Sequence, residues 1–267
     1  MPRKYVTVDG VATLLHHRGP TTLPGRPPDT SKGHTILCLH DAGDNGASFA
    51  ALEDALAADH SPIAFDQPGH GRSAGLDSLG SIPAMAAHAR ATAAALALER
   101  PVLLGDGMGA MVALELAATE PAWPAALVLT GAVPRPDLAE LVDQLRRVTS
   151  GKARREFDTS GYAPSTPREV FERAFAEWVK TDPRATLGDR EAQLAWSADD
   201  KVGAVTCPVL VVVGEHEPEA ERQQAEALAG RLAHARVVEL RGAGRHGVVE
   251  QPAALAAVIT RFLGELK

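Results

Sequence analysis

Residues Leu103 to Ala117, LLGDGMGAMVALELA, read as a strand, a glycine-rich corner and a helix. Such a corner can present a nucleophilic side chain at the start of a helix. The stretch contains no Ser or Cys, and the ionisable side chain at its turn is Asp106, which could attack an electrophile or simply bond neighbouring loops from a buried position. Other residues able to do chemistry sit in short loops after apolar runs: His40 and Asp41 in LCLHDAG, Glu217 in CPVLVVVGEHEP, and Arg245 and His246 in GAGRHGVVEQP. In a parallel sheet such loops share one edge, so these side chains can converge.

The elements that would position them are regular. KYVTVDG and VATLLHHRG form an opening hairpin around Asp9-Gly10, and the Pro-rich stretch PTTLPGRPPDTSKG is a surface loop. From HTILCLH onward, short apolar strands alternate with helices, which predicts a mostly parallel, doubly wound α/β sheet covered on both faces. The alternation stops at 132–207, where helical segments such as DLAELVDQLRRV and PREVFERAFAEWVKTD follow one another. We therefore expect a core of residues 1–131 and 208–267 and a helical cap of residues 132–207. The cap holds Tyr162, Phe171, Phe175, Trp178 and Trp196, of which the last four are candidate pocket-lining residues.

Composition excludes several classes of function. A net charge of -7 with scattered Lys and Arg argues against nucleic acid or an anionic membrane as partner, leaving a small molecule or a modified peptide. No run of about 18 apolar residues occurs, so a soluble cytoplasmic protein is expected. Cys38 and Cys207 read as reduced core thiols, and without CxxC, HExxH, a P-loop or a dinucleotide fingerprint neither a metal nor a cofactor is expected.

Five stretches, in order, make the chain resemble the α/β-hydrolase superfamily along nearly its whole length: LCLHDAG, FDQPGHGRS, the Leu103–Ala117 corner, CPVLVVVGEHEP and GAGRHGVVEQP. The resemblance implies the α/β-hydrolase fold and a nucleophile at the centre of small-x-nucleophile-x-small. With Gly107 at the centre, the flanks are Gly105 and Gly109; with Asp106 there, they are Leu104 and Met108, too bulky for a close strand-helix crossing. The nucleophile position is then glycine. The resemblance further implies Glu217 as the acid, Arg245 or His246 at the histidine position, and the amides of Met108 and Ala42 as an oxyanion hole. Asp41 stands where the loop usually has glycine, and a carboxylate there opposes a developing oxyanion unless it points away.

An atypical group of the superfamily, which includes the epimerases of bottromycin-type peptide biosynthesis, is similar in lacking a working triad. That similarity implies a non-hydrolytic epimerase or isomerase, moving a proton on a medium-sized, partly apolar natural product or modified peptide, with a substrate group able to assist. The catalytic candidates are Asp106, Glu217 and His246; the binding candidates add His40, Asp41, Ala42, Gly107, Met108 and Arg245 to the four aromatics. Two alternatives stay open. One is a hydrolase, with Asp106 as nucleophile or with a serine exchanged for glycine at 107; the other is a ligand-binding protein without turnover.

Overall fold

The computed structural model describes residues 3–19 and 26–266. The chain opens with the antiparallel pair β1 (Arg3–Val8) and β2 (Val11–His17), turned by Asp9 and Gly10, both at positive φ. Residues 20–25 of the expected Pro-rich loop lie outside the described residues. Then follow β3 (Thr35–Leu39), α1 (Ala50–Leu56), β4 (Ser61–Phe65), α2 (Ile82–Ala95), β5 (Val102–Asp106), α3 (Met108–Thr119) and β6 (Ala126–Thr130). Next come α4 (Ala139–Thr149), α5 (Arg168–Trp178) and α6 (Pro183–Ala195) with no described strand between them. The sheet resumes with β7 (Val209–Gly214), α7 (Glu219–Arg231), β8 (Ala235–Leu240), the short α8 (Gly247–Glu250) and α9 (Pro252–Gly264).

The strand order is β1-β2-β4-β3-β5-β6-β7-β8, parallel from β4 to β8. Alternation along each strand sends Leu37, Leu39, Leu103, Leu127 and Val211 to one face, packed with α2, α3 and α7. Ile36, Cys38, Leu104, Val128 and Leu210 face the other way, against α1 and α9. Cys38 and Cys207 are free, buried thiols on opposite faces. No helix among the described residues is long and apolar enough to cross a membrane.

The Ala-rich helix α2 ends at Ala95, because Ala97 turns to positive φ and the Leu98 amide bonds back to the Ala93 carbonyl. The helix α3 starts at Met108, immediately behind Gly107.

α6 is clamped to the core. Asp189, fully buried, accepts the Gly43 N–H at 2.9 Å and lies 2.7 Å from His70 Nε2. A Cβ at Gly43 would crowd Thr186, and one at Gly188 would crowd Ser78. One carboxylate thus ties α6 to both the loop after β3 and the loop after β4.

Candidate functional site

The strand-helix corner sits at Gly107, with φ 54° and ψ -112°. That conformation is costly for any residue with a Cβ, and glycine adopts it without the steric penalty. Its flanks must be small: a Cβ on Gly105 would strike the Gly109 backbone, and one on Gly109 would strike the Leu39 carbonyl. The register that centres on Gly107 therefore follows from backbone packing, and Asp106 is the last residue of β5.

Over the corner lies Asp41. Its Oδ1 accepts the Met108 N–H at 2.8 Å, and a Cβ at Gly107 would overlap the carboxylate. Of the two amides that the resemblance implies for an oxyanion hole, that of Met108 is taken: Asp41 does not point away but reaches across to α3 and accepts it. Its Oδ2 faces Arg190 Nη2 at 3.6 Å and Arg245 Nη2 at 3.4 Å. Burial opposes ionisation of Asp41, but Arg190, Arg245 and the Met108 and Ala42 amides outweigh it and hold its pKa well below the usual carboxylate range.

Arg245, not His246, reaches the corner. Its side chain lies beside Gly131, which itself abuts the Gly107 amide, and its Nε is 3.5 Å from Glu221 Oε2. His246 turns away and stacks on Tyr162 at 4.2 Å between ring centroids. Burial and then the charge of Arg245 push the His246 pKa down to about 4, so the ring is neutral at pH 7. The sequence left Arg245 and His246 both open at the histidine position; in the structure the Arg245 side chain lies beside the corner, and its N–H is held by the Gly161 carbonyl at 2.7 Å. Glu217 is buried, accepts the Gly214 N–H at 2.8 Å, and is pushed up to about 7, chiefly by burial.

Beneath the inserted helices is a cavity of about 620 Å³. Asp41, Ala42, Asp106, Trp178, Arg245 and His246 line it, together with Asp44, Arg155, Tyr162, Arg190 and Glu221. The Asp106 carboxyl accepts the Thr130 hydroxyl at 2.7 Å, and burial followed by the charge of Asp41 pushes its pKa up to about 8. Burial also raises Asp44 to about 7, against the Asn45 amide, with Asp41 adding to the rise. Two carboxyl groups that titrate near neutrality thus share one cavity with a third that stays ionised. This is an arrangement suited to general acid-base chemistry.

Several expected lining residues are elsewhere. His40 is fully buried behind the loop, with Nδ1 2.8 Å from the Asp41 carbonyl and Nε2 accepting the Gln67 N–H. Gly107 and Met108 lie under Asp41, and the Met108 side chain is core. Phe171 packs on Tyr162, and Phe175, 48% exposed, packs on Phe157 and Trp178 without lining the cavity itself. Trp196 packs against α3, donating to Glu115 at 2.8 Å. Conversely, Asp44, Arg190 and Glu221 were not singled out from sequence. Asp44 adjoins LCLHDAG, but Arg190 sits in an insert that no motif constrains.

Residues 36–258 match the alpha/beta hydrolase family. Over 196 residues the chain is 32% identical to a putative carbamate hydrolase RutD from Variovorax paradoxus (strain S110), covering 67% of this chain and 72% of that protein. Among solved structures, an esterase from Thermogutta terrifontis superposes with a TM-score of 0.82 at 23% identity, covering 100% of this chain and 99% of its own. An enol-lactonase from Burkholderia xenovorans LB400 superposes with a TM-score of 0.81 at 21% identity, covering 98% and 100%.

Proposed function

The chain belongs to the alpha/beta hydrolase family, and from that premise we propose that it is a non-hydrolytic member, an epimerase or isomerase that moves a proton next to a carbonyl group. The observation that carries this reading is the Asp41 carboxylate on the Met108 amide, where an acyl oxyanion would otherwise be stabilised. A negative charge cannot develop favourably against a carboxylate already in the hole. Gly107 supplies no nucleophile, and Arg245 at the base's position cannot take a proton at neutral pH.

In this reading the ligand is medium-sized, partly apolar and carbonyl-bearing, a natural product or modified peptide. Its apolar part lies against Leu141, Leu145 and Trp178, which line the cavity. Arg190 and Arg245 donate to the carbonyl oxygen, and the protonated Asp106 carboxyl is a third donor available there. Asp44, titrating at about 7, takes the Cα proton; return of a proton to the opposite face inverts the centre. A cytoplasmic location belongs to the same proposal.

The two hydrolytic alternatives fit less well. A protonated Asp106 on the strand side of the corner is a poor nucleophile. A serine exchanged for glycine would leave Asp41 and Arg245 unexplained, since a side chain at 107 needs the space that Asp41 fills. The ligand-binding reading has one observation in its favour: Asp41 is already paired with two arginines.

The test is deuterium uptake at Cα–H positions in D2O, followed by mass spectrometry over lactones, aryl ketones and modified peptides. Uptake with the wild type, lost in Asp44→Asn, supports proton transfer. Saturable binding without uptake favours the ligand-binding reading, and multiple-turnover ester hydrolysis by the wild type contradicts the proposal.

A further inference from the structure

Three arginines line the cavity, and two of them, Arg190 and Arg245, lie against Asp41. The third, Arg155, has no acidic partner among the described residues. Its Nη1 donates to the Thr181 carbonyl at 2.7 Å, and its Cζ lies 3.7 Å from the centre of the Trp178 ring. Nε and Nη2 are buried and donate to no described residue. Asp182, whose charge reaches the group, is already paired with Arg184. Burial pushes the Arg155 pKa down to about 10, against the charge of Asp182, so the guanidinium is still cationic at neutral pH.

An arginine that only braced the cavity wall would need the Thr181 bond and the Trp178 face, and neither uses the remaining edge. Nε–H and Nη2–H share that edge of the planar group and point the same way, with the spacing that meets both oxygens of a carboxylate. Two charged donors left unmet away from water are costly, and an anion removes the cost.

From this geometry we propose that Arg155 is the binding site for a carboxylate on the ligand, which makes the substrate class an apolar carbonyl compound that also carries a free acid. Its apolar body lies on Leu141, Leu145 and Trp178, and its acid takes the free edge of Arg155. A phosphate fits less well, since it brings up to two charges to one guanidinium while Glu156 and Asp158 line the same cavity. The edge is screened from water in this structure, and Arg155 belongs to residues 150–167, which form neither helix nor strand. Admission of the acid therefore needs only that stretch to shift, and the Thr181 bond can stay. This inference rests on the cavity being the ligand site, as in the proposed function, but not on proton transfer, because binding is read without turnover.

The test is calorimetric titration of the wild type, Arg155→Gln and Arg155→Lys, each checked for folding by circular dichroism, with 6-phenylhexanoate and the equally long 6-phenylhexanamide. The wild type should bind the acid about tenfold more tightly than the amide, the size expected of a charge-assisted pair. In Arg155→Gln that advantage should vanish while the amide still binds; in Arg155→Lys, which keeps the charge but not the two-pronged edge, part of it should return. Equal binding of acid and amide by the wild type, or no saturable binding of the acid, overturns the proposal. So does an undiminished preference in either variant, because Arg190 and Arg245 would then be reading the carboxylate. Loss of acid and amide alike in a folded Arg155→Gln also overturns it and marks Arg155 as a brace. Failure here with deuterium uptake intact leaves the proton-transfer reading standing, whereas acid preference without uptake removes that reading and keeps this one.

Discussion

At the level of single residues, the site is governed by which groups share the corner. Gly107 is required twice over, by its positive φ and by the Asp41 carboxylate against it. Gly107→Ser is expected to cost roughly 1–3 kcal/mol through backbone strain and overpacking. Most of the packing part should return when Asp41→Gly is added, and thermal or urea unfolding of the single and double variants checks this. Asp106 gives a pH-dependent prediction. Its pKa rises from an ordinary 3.8 to about 8, so the unfolded chain releases this proton at lower pH than the native one. Its contribution to stability is then present below about pH 4 and lost as pH rises towards 8. Asp106→Asn, which keeps an acceptor for Thr130, should match the wild type near pH 4 and exceed it at pH 8 to 9 in denaturant melts; equal stability at both ends would refute the assignment. Some of this was legible in the sequence. The small flanks Gly105 and Gly109 pointed to Gly107 because backbone packing tolerates nothing larger there. The side to which Asp41 would turn, and the choice of Arg245 over His246, depend on loop hydrogen bonds that no spacing encodes.

At the level of elements, α6 is the part of the insert that builds the site, because it brings Arg190 to Asp41 while Asp189 fastens it to two core loops. His70 faces the Pro68 carbonyl with Nδ1 at 3.0 Å and Asp189 with Nε2 at 2.7 Å, so only the imidazolium satisfies both. Burial lowers the His70 pKa, but the charge of Asp189 and its hydrogen bond reverse this and leave it raised. The clamp therefore contributes fully below the ordinary histidine range and is lost as pH rises through the raised value. Hydrogen exchange of α6, corrected for intrinsic rates, should show falling protection across that window. Asp189→Ala should cost on the order of 3–5 kcal/mol, since it strands a buried His70 charge and the Gly43 amide; a loss under 1 kcal/mol in chemical denaturation would mean the clamp is incidental. The core strands and helices were readable because alternation between strand and helix periods is strong. The insert was readable only as helical. Its aromatic residues suggested a lining, yet just Trp178 among the four reaches the cavity, because the apolar surface of Phe171 and Trp196 goes into packing.

At the level of the whole molecule, the backbone is that of a hydrolase family, and the corner gathers side chains from four regions. Asp41 comes from the loop after β3, Asp106 from the end of β5, Arg190 from α6 and Arg245 from the loop after β8. Because fold does not fix activity, that set of side chains bears on the proposed reading more than the overall likeness does. It also means that a serine alone cannot restore the family's nucleophilic chemistry: the hole must be emptied and a base supplied as well. The most direct test is fluorophosphonate labelling, read by intact mass, of the wild type, Gly107→Ser, and the triple variant Asp41→Gly/Gly107→Ser/Arg245→His. The account predicts no label on the wild type, none on the single variant, and one label per chain on Ser at position 107 of the triple variant. Full labelling of the single variant would contradict it, since a nucleophile and an open hole would then coexist with Asp41 in place.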